Sequence, residues 1–154
     1  MASTNEDVVV LATARLDDGR LLVVRHLPDR GTVELGWWVP DEDGAMAPGP
    51  SVLELAAEAV EVDAVAQLCA GVADAGWATA EEGRTVAATP PAADGAQVVA
   101  VRAGNGLRLV RQPEGGALAL PSQAALDLLA ATFPAARQKL AALGFGLVQQ
   151  GGQA

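Results

Sequence analysis

The sequence predicts an α/β domain, and three features carry that expectation. Two alternating, β-branched-rich segments meet around Asp-Gly near the N-terminus, an acidic amphipathic stretch comes next, and the chain closes on Ala/Leu-rich helical segments. Its 154 residues suit one domain, expected over residues 8–148, with a flexible N-terminus at 1–7 and a disordered Gly-rich tail at 149–154.

Val8–Arg15 and Arg20–His26 read as strands of a hairpin, because Asp17-Asp18-Gly19 supplies the positive φ that a tight turn needs. Leu27–Leu35 reads as a loop, and Trp37–Pro40 as a short strand that proline ends. Asp41–Pro50 is a Gly/Pro/Asp loop. Ser51 and Glu54 have the spacing of a capping box, so a helix is expected over Val52–Leu68. Leu55, Ala59 and Val62 share one face of that helix, while Glu54, Glu58 and Glu61 form a stripe on another. Gly71–Asp94 carries no clear period. Gln97–Arg102 and Leu107–Arg111 form a second hairpin around Gly104-Asn105-Gly106. Pro121–Thr132, with Ser122 as a candidate cap, and Pro134–Leu143, which proline can open at a first helical position, read as two terminal helices. No internal repeat is visible.

The composition narrows the function classes. A hydrophobic fraction of 51% supports a core, and an aromatic fraction of 3% makes that core aliphatic, so each Trp stands out. A net charge of −9 repels phosphate backbones and anionic lipid surfaces, so neither nucleic acid nor membrane is an expected partner. A single cysteine, Cys69, allows no intrachain disulfide and suits a reducing compartment. No apolar run approaches the roughly 20 residues of a membrane span. The first residues lack the basic and apolar regions of a signal peptide, so a cytoplasmic protein is expected. Nine arginines against the single Lys139 point to a GC-rich bacterial coding sequence.

A strand ending in Leu21-Leu22-Val23-Val24-Arg25, the approach Gly36-Trp37-Trp38-Val39-Pro40, and Ala47-Pro48-Gly49-Pro50-Ser51 before an acidic helix resemble the Nudix superfamily over roughly residues 8–68. The resemblance implies an α/β/α sandwich around a mixed sheet. It also implies a box of glutamates that hold Mg²⁺ or Mn²⁺ against a diphosphate, oriented by an arginine. The box here is degenerate in either of two registers. Anchored on Ser51, Glu58 stands at the arginine position, and Ala59, Val62 and Asp63 at the glutamate positions. One residue earlier, Ala57 replaces the arginine, Glu58 and Glu61 retain two glutamates, and Val62 replaces the third.

The candidate catalytic and metal residues are therefore Glu58 and Glu61, with Asp43 of the acidic Asp41-Glu42-Asp43 loop as a substitute oxygen donor. An ordinary solvated helix face explains the same stripe. Trp37 and Trp38 are strand neighbours and must face opposite ways, so one enters the core and the other can line a pocket. Arg25 is the candidate for a ligand phosphate. His26 reads as structural, Cys69 as a small core residue, and Trp77 as a lid or core plug. The expected function is a diverged Nudix-type protein that binds a small, nucleotide-like molecule or runs a repurposed reaction. The alternatives are a Mg- or Mn-dependent hydrolase of a nucleoside diphosphate derivative, and a protein-interaction module. Homodimer formation stays open.

Overall fold

In the computed structural model, residues 8–75, 77, 79–92 and 94–143 are described. The expected flexible N-terminus and the 149–154 tail lie outside them. The chain first lays down β1 (Val9–Arg15), β2 (Leu21–Leu27), β3 (Thr32–Pro40) and β4 (Met46–Ala56), then α1 (Ala59–Ala75). The same order then recurs: β5 (Thr85–Ala88), β6 (Gln97–Ala103), β7 (Gly106–Gln112), β8 (Ala117–Leu120) and α2 (Gln123–Ala142). The fold is thus an α/β architecture made of two ββββα units, a repeat of structure that leaves no trace in the sequence.

Each unit forms a four-stranded sheet in sequential order. Every ladder is antiparallel, which corrects the mixed sheet expected from the resemblance. Short turns join neighbouring strands and leave no room for a parallel crossover. The one long connection, α1, leads into the other sheet.

The largest local correction concerns residues 51–56. The expected helix start is the end of β4, and α1 begins only at Ala59. Leu53 pairs with Leu35 and Leu55 with Val33, and both leucines are fully buried, while Glu54 points to the opposite face. That is a period of two, and pairing against β3 outweighs the local capping signal. A capping box is worth about 1 kcal/mol, whereas burying each leucine is worth roughly 2 kcal/mol. Two smaller corrections have similar causes. The expected loop before Trp37 is mostly β3, because Val33 and Leu35 alternate inward. The two terminal helices are one, with Pro134 inside α2 and Ser122 as its cap, accepting a bond from the Ala125 amide.

The sheets meet along β4 and β8. Leu53 and Gly116 form an antiparallel bridge, and the Glu54 amide donates to the Gly115 carbonyl at 2.7 Å. Ser51 donates its hydroxyl to the Ala117 carbonyl at 2.9 Å and accepts from the Ala119 amide at 3.0 Å. Two glycines make this approach feasible. Gly116 has φ +79°, and a Cβ there would lie 2.3 Å from the Val52 carbonyl oxygen. The strand order across the seam is β1-β2-β3-β4, then β8-β7-β6-β5, which reads the same from either end.

The helices pack against each other and cross over: α2 lies along β1 of the first sheet, and α1 reaches β5 of the second. Arg137 of α2 pairs with Asp63 of α1. Inward side chains of both sheets and both helices form a single core, including Leu22, Leu35, Leu53, Leu109, Leu118 and Phe133. No helix among the described residues is long and apolar enough to cross a membrane.

Candidate functional site

The pocket that collects the nominated acids lies where α1 begins, beside the β5–β6 connection. It has a volume of about 130 Å³. Its walls are Ala64, Pro90, Pro91, Ala92, Ala96 and Val98, and its polar lining is Glu58, Glu61, Thr89 and Gln97. The local sequence explains the apolar walls. Pro90-Pro91 cannot donate backbone hydrogen bonds and ends the pairing of β5. Thr89 is buried, its hydroxyl accepts from the Val98 amide at 3.0 Å, and the Gln97 side chain donates to the Thr89 carbonyl at 2.7 Å.

The two glutamates differ in their commitments. Glu58 closes the first helical hydrogen bond by accepting from the Val62 amide, and its side chain is exposed. Its carboxylate makes no ion pair among the described residues. Glu61 sits in the first turn of α1, where a negative charge suits the helix dipole. Both its oxygens are taken: Arg111 binds them at 2.5 and 3.1 Å, and the Ala56 amide donates to one at 3.1 Å. Each partner of that pair is only 14% exposed. Hydrogen bonding to Glu61 raises the Arg111 pKa further and locks its charge.

The remaining nominated residues lie elsewhere. Asp43 is in the β3–β4 turn, with its amide donating to Asp41 at 2.8 Å. The turn and Glu58 are at opposite ends of the β3–β4 hairpin, since Pro40 pairs with Met46 and Thr32 with Ala56. At about 3.3 Å per residue that separation is on the order of 25 Å. The expected grouping of Asp43 with Glu58 and Glu61 is therefore not formed. Among the described residues no cluster of three or more His, Cys, Asp or Glu could hold a metal ion. The retained acids do not fit a magnesium cage, because Glu61 is bound to Arg111 and Glu58 would stand alone.

Trp37 and Trp38 face opposite ways. Trp37 is in the core at 4% exposure, and its indole donates to the Ala119 carbonyl at 2.6 Å, across the seam. Trp38 lies half-buried on the outer face, with the Arg25 guanidinium 5.5 Å from its ring centroid. Arg25 also bonds Glu34 at 2.9 and 2.5 Å. Neither tryptophan nor Arg25 lines the α1 pocket.

No family model, curated protein or solved structure matches this chain.

Burial also shifts two titratable side chains. Burial lowers the His26 pKa and pushes the Cys69 thiol up to about 12, so Cys69 stays protonated and unreactive in the folded chain. Trp77 is buried, with Arg102 5.1 Å from its ring centroid. The sequence concealed three features of the site. These are the Arg111–Glu61 pair, which joins residues 50 positions apart; the pocket walls from the unreadable segment; and the seam. The Pro-Pro break was the one visible signal.

Proposed function

We propose that this chain is a small-molecule-binding domain whose ligand enters the α1 pocket without a metal. The observation that carries the reading is a carboxylate with no ion pair among the described residues, Glu58, at an apolar-walled pocket. A volume of about 130 Å³ is close to the roughly 150 Å³ of a cavity that accepts a benzene-sized group. The favoured occupant is a compact apolar group bearing an ammonium or other donor, which Glu58 neutralises at the mouth. A diphosphate would meet that carboxylate without a counter-ion, and Arg111 is already neutralised by Glu61.

Descent from a Nudix-like sandwich is part of this proposal. It is supported by Leu21–Arg25 and Gly36–Pro40, since residues 51–56 of the degenerate box lie in β4. Nucleoside diphosphate hydrolysis has one observation in its favour, that Glu58 and Glu61 line the same pocket. Thermal-shift screening with paired ring-bearing amines and carboxylates separates the two. The expected result is stabilisation by amines without added metal, lost in Glu58→Gln. Turnover of nucleoside diphosphate derivatives that needs Mg²⁺ or Mn²⁺ and disappears in Glu58→Gln would replace the proposal with the hydrolase.

A further inference from the structure

A second cavity opens where the chain passes from α1 to β5, and it shares no lining residue with the α1 pocket. Its volume is about 520 Å³, and its lining includes Trp77, Thr79, Glu81, Arg84, Thr85 and Val86. Small-molecule sites fall between roughly 300 and 1,000 Å³. Arg102 of β6 holds the wall in place. It donates to the Ala80 carbonyl at 3.0 Å and to the Trp77 carbonyl at 3.4 Å, and its guanidinium lies over the Trp77 ring. Backbone bonds tighten the same wall: the Ala80 amide donates to the Trp77 carbonyl and the Arg84 amide to the Glu81 carbonyl, both at 3.0 Å. Three groups of the lining lack partners. Trp77 is 7% exposed, yet its indole N–H donates to no acceptor among the described residues. The other core tryptophan, Trp37, does find one, the Ala119 carbonyl. Native interiors satisfy buried donors, so this one calls for an acceptor from outside the chain. Glu81 and Arg84 make no ion pair among the described residues, with each other or with a third group. Both are exposed, and it is the buried indole N–H beside them that points to a ligand.

We propose that this cavity binds a small zwitterion of the α-amino-acid class. The ligand carboxylate answers the Trp77 N–H and the Arg84 guanidinium, and the ligand ammonium answers Glu81. The unpartnered groups select this chemistry. A plain anion such as phosphate would meet Glu81 as a like charge, in a chain of net charge −9. A plain amine would leave the indole N–H without an acceptor. A ligand with both ends satisfies all three groups. The Thr79 and Thr85 hydroxyls can donate or accept and so suit either end, while Val86 gives the ligand side chain an apolar contact.

The full chain has three tryptophans, so a ¹H–¹⁵N correlation spectrum resolves one indole signal for each, and Trp77→Phe assigns that of Trp77. The probes are the common L-amino acids, followed by the N-acetyl and amide derivatives of the tightest binder. The expected result is a saturable shift of the Trp77 indole signal, with binding about tenfold weaker when either end of the ligand is blocked. Arg84→Gln should weaken the free amino acid about tenfold and leave its amide unaffected, and Glu81→Gln should do the same for the free and N-acetyl forms. Both positions are exposed, and circular dichroism checks that the variants fold. Binding should also survive Glu58→Gln, which separates this cavity from the α1 pocket. The proposal is overturned if no amino acid shifts the Trp77 signal, if the blocked derivatives bind as tightly as the free one, or if neither charge variant alters binding. Tighter binding of inorganic phosphate, or loss of binding in Glu58→Gln, overturns it as well.

Discussion

Replacing Gly116 by alanine tests whether the two sheets are one structure. Two costs add at this position. With φ +79°, alanine adopts a left-handed conformation, which costs about 1–2 kcal/mol. The added Cβ would also lie 2.3 Å from the Val52 carbonyl oxygen, a backbone atom that cannot swing aside. The strands must therefore separate, which strains the Leu53–Gly116 bridge and the neighbouring Ser51 bonds, each worth about 1 kcal/mol. The expected loss is about 3–4 kcal/mol, or a melting temperature roughly 6–15 °C lower for a chain of this size. Gly44→Ala is the control, because Gly44 has φ +86° but a Cβ added there would meet nothing within 4 Å. It should lose only the conformational part, about 1–2 kcal/mol. Urea unfolding of both variants gives the difference directly. If Gly116→Ala is no less stable than Gly44→Ala, the seam carries no cooperative load.

Three further perturbations probe the same architecture. Trp37→Phe removes the indole bond to Ala119 and leaves a small void at a site of 4% exposure; urea unfolding should show a loss of about 2 kcal/mol, and a loss below about 0.5 kcal/mol would contradict the role given to this contact. Arg111→Met strands Glu61 without its partner at 14% exposure and should cost about 2–3 kcal/mol; Arg111→Met combined with Glu61→Leu should recover most of that, and a double variant no better than the single would refute the pairing argument. Burial lowers the His26 pKa in the folded chain, so the unfolded chain takes up a proton first; the stability this contributes is complete above about pH 6.5 and is lost as pH falls through the folded value. His26→Leu should lack that loss when chemical unfolding is compared between about pH 7 and about pH 5, and an unchanged pH dependence would exclude His26 as its source.

Local chemistry was legible. Asp17–Gly19 and Gly104–Gly106 specify hairpins because glycine supplies the backbone angles, and the structure forms both. Adjacent tryptophans in a strand had to diverge, and Ser122, a candidate cap in the sequence, does cap the helix that starts beside it. The pocket was half-legible: Glu58 and Glu61 were nominated together and do share it. Their walls lay in a segment without periodicity, and the arginine that occupies Glu61 comes from a strand 50 residues away.

Composition and period thus determined by themselves an acidic, aliphatic-cored α/β chain with two of its hairpins and the helical character of its C-terminal stretch, though not that Pro134 lies inside one helix. Tertiary structure alone decided the rest. Ser51–Ala56 carries both a helix cap and a two-residue alternation, and only the presence of β3 on one side and β8 on the other resolves the choice toward strand. The duplication of the ββββα unit was invisible for a related reason. Sheet pairing depends on which backbones lie side by side, so two segments with unlike side chains build the same unit once Gly115 and Gly116 let their edges meet.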